Sequence, residues 1–196
     1  MRLLPLLVVL VPAAALAQPG YYGTQPSSAA LRNGLTFEAN LGLGVIWASA
    51  EGESSDSELA LGGLSLGLGG WVSPQLAITA RIAGVTYSED CGDETCMLTS
   101  AFFGPVAQYW LNEQAWIGGG AGLAVLRGST TGSGDSETEN GFGLNLRAGY
   151  TFSRGTESTW NVSVEYTPGF YTLDYVFGEY DLTVHGFGIL FGYQHL

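Results

Sequence analysis

The chain contains no lysine, and its six basic residues are all arginine. Against 18 acidic residues that leaves a net charge of −12, a balance that excludes nucleic acid as a natural partner. Cysteine is equally scarce, since Cys91 and Cys96 are the only two. Histidine is limited to His185 and His195, little material for a histidine-based metal or catalytic centre. Nowhere does an apolar run reach the ~18 residues of a membrane-spanning helix. Yet 46% of the residues are hydrophobic and the mean hydropathy is +0.19. The 30 glycines, at about twice the usual ~7% share, speak against helices. Something other than helices must carry the apolar residues.

Residues 1–17 read as a secretory signal peptide, with Arg2 as the charge, Leu3 to Val11 as the apolar core and Ala15-Leu16-Ala17 as the cleavage site. The mature chain is expected to begin near Gln18. No Cys follows that site to take a lipid. Removing Arg2 leaves five arginines against the 18 acids. Export to an oxidising compartment predicts a Cys91–Cys96 disulfide closing a short acidic loop, worth about 2 kcal/mol by the chain-entropy estimate. A metal site is the rival reading, and two thiols without a nearby His suit it poorly. Residues 18–34 (QPGYYGTQPSSAALRNG) read as a flexible N-terminal arm, a candidate periplasmic tether.

From Leu35 onward the pattern is period two. Leu35, Phe37, Ala39, Leu41, Leu43, Val45 and Trp47 alternate with Thr36, Glu38, Asn40, Gly42, Gly44 and Ile46, a run longer than the ~9 to 11 residues of a tilted membrane strand. Similar runs follow over Leu59–Val72, Leu76–Tyr87, Met97–Leu111, Ala115–Leu126, Gly141–Phe152, Thr159–Tyr171 and Leu182–Leu196. Within Leu59–Val72 the Gly62-Gly63 pair shifts the parity, which predicts a bulge. Short turns at Ser73–Gln75, Asn112–Gln114 and Ser153–Ser158 alternate with long polar connections at Ser49–Glu58, Ser88–Cys96, Arg127–Asn140 and Thr172–Asp181. Eight strands with both termini at the short-turn end are what an antiparallel outer-membrane barrel requires, with short periplasmic turns and long external loops. Pairing residues whose numbers sum to 312 sets Phe152 against Trp160, Tyr150 against Val162 and Arg147 against Glu165.

Glu38, Arg81, Arg147 and Glu165 all fall on the polar face, which an eight-stranded barrel turns into a narrow lumen filled by side chains. They are expected to form a structural charge network, the sharper alternative being a polar gate for water or small ions. A soluble ligand-binding barrel would turn its apolar face inward instead. Fourteen of the 18 acids fall in the four long connections and make one anionic rim. Bridging of divalent cations to lipid headgroups is a further reading of that rim, but no EF-hand spacing is present and no metal site is assigned. Phe170 and Tyr171 are expected in an interfacial aromatic girdle, while Tyr175, Phe177 and Tyr180 are candidates for an adhesive tip. His185 stands near the outer end of the closing strand, and Gly186-Phe187 beside it offers no hydroxyl nucleophile. Gly118-Gly119-Gly120-Ala121-Gly122 lacks the Lys and helix of a phosphate cradle. No catalytic residue and no cofactor is assigned.

These residues resemble the small outer-membrane β-barrel family typified by OmpA and OmpX, over about Leu35 to Leu196. Gly188-x-x-Phe191-x-Tyr193 is similar to the assembly signal read by the barrel-insertion machinery. In the family that signal ends on a terminal aromatic, whereas here the chain runs on through Gln194-His195 to Leu196. The resemblance implies a cell-outer-membrane location, contact with outer-membrane lipid and lipopolysaccharide, and a monomer, while the peptidoglycan-binding domain that follows the barrel in OmpA-type members is not expected here. It implies a non-enzymatic structural or surface-interaction role, with a partner met through the acidic and aromatic loops. A small conducting barrel gated by the lumen Arg/Glu network is the alternative, and a lipid-modifying enzyme the third reading. The lipid A deacylase barrels carry a His-x-Ser pair that His185-Gly186-Phe187 does not match.

Overall fold

Alternation sustained over sixteen or more residues gives each strand one greasy and one polar face, and only a closed sheet satisfies both faces and both edges in a bilayer. The computed structural model describes residues 32–50, 53–92, 94–131, 136–154, 157–175 and 178–196. The strands are β1 (Leu35–Ala50), β2 (Glu53–Ser54), β3 (Glu58–Ser73), β4 (Leu76–Cys91), β5 (Glu94–Trp110), β6 (Ala115–Thr130), β7 (Ser136–Arg154), β8 (Ser158–Tyr175) and β9 (Gly178–His195). β2 is a two-residue ladder on Ser49 and Ala50. The eight long strands pair antiparallel in chain order, and β9 then pairs with β1 from Phe37↔His195 to Ala50↔Leu182. That last ladder closes the ring.

The two faces separate as their chemistry demands. Leu35, Leu41, Leu68 and Ile189 stand outward and more than half exposed, where lipid would cover them, while Thr36, Glu38, Asn40, Ser65 and Arg81 point inward and are buried. The bulge lies where the glycine pair predicts it. Gly42 pairs Gly63 and Leu43 pairs Leu61, so Gly62 is skipped and the alternation recovers its face.

Three boundaries differ from the pattern-based expectation. Ser88–Cys96, Arg127–Asn140 and Thr172–Asp181 are strand for most of their length, paired as far as Cys91↔Glu94, Ser129↔Ser136 and Tyr175↔Gly178. Polarity marks them as outside the bilayer, but a hairpin ladder satisfies backbone groups in water as well as in lipid. The barrel therefore continues above the membrane as paired ribbons. A second difference is local: the 312 register holds from Phe142↔Phe170 to Thr151↔Asn161, then shifts so that Ser153, not Phe152, faces Trp160. The signal peptide, residues 18–31 of the arm, Glu51, Asp93, Asp135 and Phe177 lie outside the described residues.

Candidate functional site

The lumen is built in two layers of opposite chemistry. In the layer toward the short turns, Glu38 from β1 receives Arg81 from β4 on one oxygen and Arg147 from β7 on both, with one Arg147 contact at 3.0 Å. The Asn40 amide donates to the same carboxylate at 2.9 Å, and Arg81 also donates to Ser65 Oγ at 2.6 Å. Room for these long side chains comes from small neighbours. A Cβ at Gly67 would lie 2.8 Å from an Arg81 nitrogen, and one at Gly149 would lie 2.1 Å from the Trp116 ring. That ring in turn lies under the Arg147 guanidinium, 4.4 Å from its centroid.

Arg147 does sit opposite Glu165 in the ladder. Its ion pair nevertheless crosses the lumen to Glu38, because ladder neighbours point the same way and a long guanidinium reaches further toward the axis. Glu165 takes the Asn145 amide at 2.5 Å instead. Thus three of the four predicted lumen charges meet directly and the fourth stands beside them. Along β8 the inward atoms Thr159 Oγ1, Asn161 Oδ1 and Nδ2, Ser163 Oγ and Glu165 Oε2 are buried without a protein partner, the pattern that buried water serves.

Below this layer the short-turn mouth is also filled. Gln108 donates to Gln194 at 3.2 Å, and Gln194 donates to Thr36 at 3.3 Å. Arg32, from the segment expected to be a flexible arm, is buried with its guanidinium 3.7 Å from the Trp110 ring centroid, and it donates to the Glu113 carbonyl at 3.2 Å. No local motif signals this contact, because Arg32 is distant in sequence from Trp71 and Trp110 and meets both rings only in the closed barrel.

Toward the hairpins the lumen turns apolar. Ile46, Ala60, Val85, Ala124, Tyr171 and Val184 pack into one buried cluster. Tyr171 is a correction: it faces this cluster and not the membrane interface, because adjacent strand residues point to opposite faces and Phe170 takes the outward one. Phe170 stacks on Phe142 at 6.2 Å, as a girdle residue would. Where the two layers meet, a cavity of about 10 Å³ lies among Val85, Glu165, Thr167 and Leu190, space for about one water.

His185 is not the lone histidine that its own strand suggests. The β1–β9 register sets it against Trp47, whose ring stacks on it at 4.9 Å. Its Nε2 lies 3.1 Å from Ser49 Oγ and its Nδ1 2.7 Å from Tyr166 Oη. The hydroxyls come from neighbouring strands, which no local motif reveals. Acyl transfer also needs preorganised oxyanion donors, and the backbone at Ser49 is already in ladders on both sides. The cluster has the amphipathic aromatic character of a headgroup-level anchor.

The predicted assembly residues lie on the closing strand. Phe191 is outward and stacks on Trp160 at 5.3 Å, Tyr193 meets the same ring edge-on at 5.4 Å, and Gly188 is inward beside Gly44 and Glu165. Cys91 and Cys96 are joined in a disulfide across the β4–β5 hairpin tip, where Gly92 takes a φ of 82°.

The sequence profile of the outer membrane protein beta-barrel domain matches residues 3–194. Among solved structures, Ail of Yersinia pestis, bound to the heparin analogue sucrose octasulfate, shares 15% identity, with 82% of this chain and 98% of that one covered and a TM-score of 0.54. The Neisserial surface protein A shares 13% identity over 82% of this chain and 96% of that one, with a TM-score of 0.53. OprG of Pseudomonas aeruginosa shares 12% over 83% and 97%, with a TM-score of 0.45. A comparison with curated protein sequences finds no match. The likenesses to solved structures concern the fold.

Proposed function

The chain belongs to the outer membrane protein β-barrel domain family and its place is the outer membrane, and from that premise we propose that it is a sealed barrel working through its outer surface. The observation that carries this reading is the filled lumen. Arg81, Glu38, Gln108, Gln194, Trp110 and Trp116 are all essentially without solvent contact. An apolar cluster above them gives an ion no partner. A gate needs an aqueous path on both sides, and this path is interrupted twice. The charge network is thus structural, and chemistry is left to the hairpins that stand above the membrane.

The ligand of Ail, a polysulfated sugar analogue, does not transfer to this chain. Glu58, Glu89, Glu94, Glu137 and Glu139 face or flank the outer mouth, so polyanions are repelled. A partner at this rim is neutral or cationic. Outer-membrane lipid covers the barrel wall, with the Trp47–His185–Tyr166 stack at headgroup level, and Gly188, Phe191 and Tyr193 present the segment that the insertion machinery reads. Proteoliposome swelling tests the reading: small sugars and amino acids should enter no faster than into protein-free vesicles, and solute-dependent swelling would sink it.

A further inference from the structure

We infer that the outer mouth of the barrel is a binding cup for a small organic cation with an aromatic or alkyl body. This deepens the surface-interaction reading and rests on it. Tyr87, Leu98, Gly128 and Glu137 are successive ladder partners and form one inward row, with Glu89, Cys96 and Thr130 forming the next. Together they line a cavity of about 440 Å³, within the usual ~300 to 1,000 Å³ of small-molecule sites. Tyr87 and Leu98 also pack against the buried apolar cluster, so the cup has a floor and retains a ligand instead of passing it inward. The space is open at its centre: a Cβ on Gly128 would meet nothing within 4 Å.

The walls select the sign of the guest. Glu89 and Glu137 bring carboxylates to opposite sides of the cavity, and the Tyr87 hydroxyl donates to Glu89 at 2.7 Å. The aromatic ring, the carboxylates and an apolar floor are the parts with which proteins hold quaternary ammonium groups. Among the described residues, no basic side chain lines the cavity. Arg127, the nearest arginine along β6, alternates to the opposite face from Gly128 and is exposed. An anion of the same shape meets only repulsion.

The test uses the full chain in lipid nanodiscs, titrated calorimetrically with benzyltrimethylammonium and, as a matched anion, benzylsulfonate. The cation should bind saturably at one site, with the anion about tenfold weaker or more. Gly128→Leu, whose Cβ meets nothing within 4 Å and whose side chain enters the cup, should abolish cation binding while keeping heat-modifiable mobility. Glu137→Gln, exposed and harmless to folding, should weaken it roughly 3- to 5-fold. Absence of saturable cation binding overturns the proposal, as does equal binding of the anion or wild-type binding by folded Gly128→Leu. None of these results touches the sealed-lumen reading, which fails only by solute or ion passage.

Discussion

At its short-turn end the lumen holds two guanidiniums and a shared carboxylate, with amides, hydroxyls and a second carboxylate around them. At its hairpin end Ile46, Ala60, Val85, Ala124 and Val184 meet around the Tyr171 ring. Both ends are full, but for different reasons. The ionic layer is tolerable only because each charge finds partners, and its removal one residue at a time is costly even though the network adds little net stability. The apolar layer contributes burial in the ordinary way, yields gradually to small changes and denies ions a place to stand. Since lipid on the outside is itself apolar, the barrel interior is where side-chain packing distinguishes one sequence from another.

The largest effect should come from the ionic layer. Glu38→Gln keeps the shape and removes the charge, leaving Arg81 and Arg147 buried without their shared counter-ion. The folded state should lose about 3 to 5 kcal/mol. Urea titration followed by heat-modifiable gel mobility measures this, and a loss below 1 kcal/mol would mean the guanidiniums reach water. In the apolar layer Ile46→Val removes one methylene and should cost about 1 kcal/mol in the same titration. Equal losses from the two substitutions would erase the distinction between the layers.

The smallest effect lies above both, on the aqueous ribbon. Hydrogen bonding to Glu89, with the Glu58 charge close by, raises the Tyr87 hydroxyl to about 12. Because the folded value lies above the ordinary 10, the contribution of this bond is fully present below pH 10 and is lost as pH rises through about 12. Ultraviolet titration of phenolate in wild type and Glu89→Gln should show one tyrosine ionising at lower pH in the variant. Superimposed titration curves would show that the bond does not form in solution.

How much of this was legible in the chain differs between its two chemistries. Period-two alternation is set by the strand itself, so the strand order, the faces and the Gly62 bulge followed from sequence. Ladder ends did not, because Arg127–Thr130 and Ser136–Asn140 are polar in composition yet paired in space. The four lumen charges were found by parity alone. Their partners were not, since Glu38 and Arg147 are brought together across the barrel by closure and side-chain reach, and no pairwise register contains them. Ser49 and Tyr166 escaped for the same reason, each lying one strand away from His185. Tyr171 escaped through a neglected rule: its neighbour Phe170 had already taken the outward face.

Planar-bilayer recording of wild type and Arg147→Ala tests the sealed lumen most directly. No channel steps are expected from either protein, because loss of Arg147 unsettles the ionic layer and leaves the cluster around Ile46 and Tyr171 in the path. A steady wild-type conductance that grows when Arg147 is removed would contradict it and make the charge network a gate.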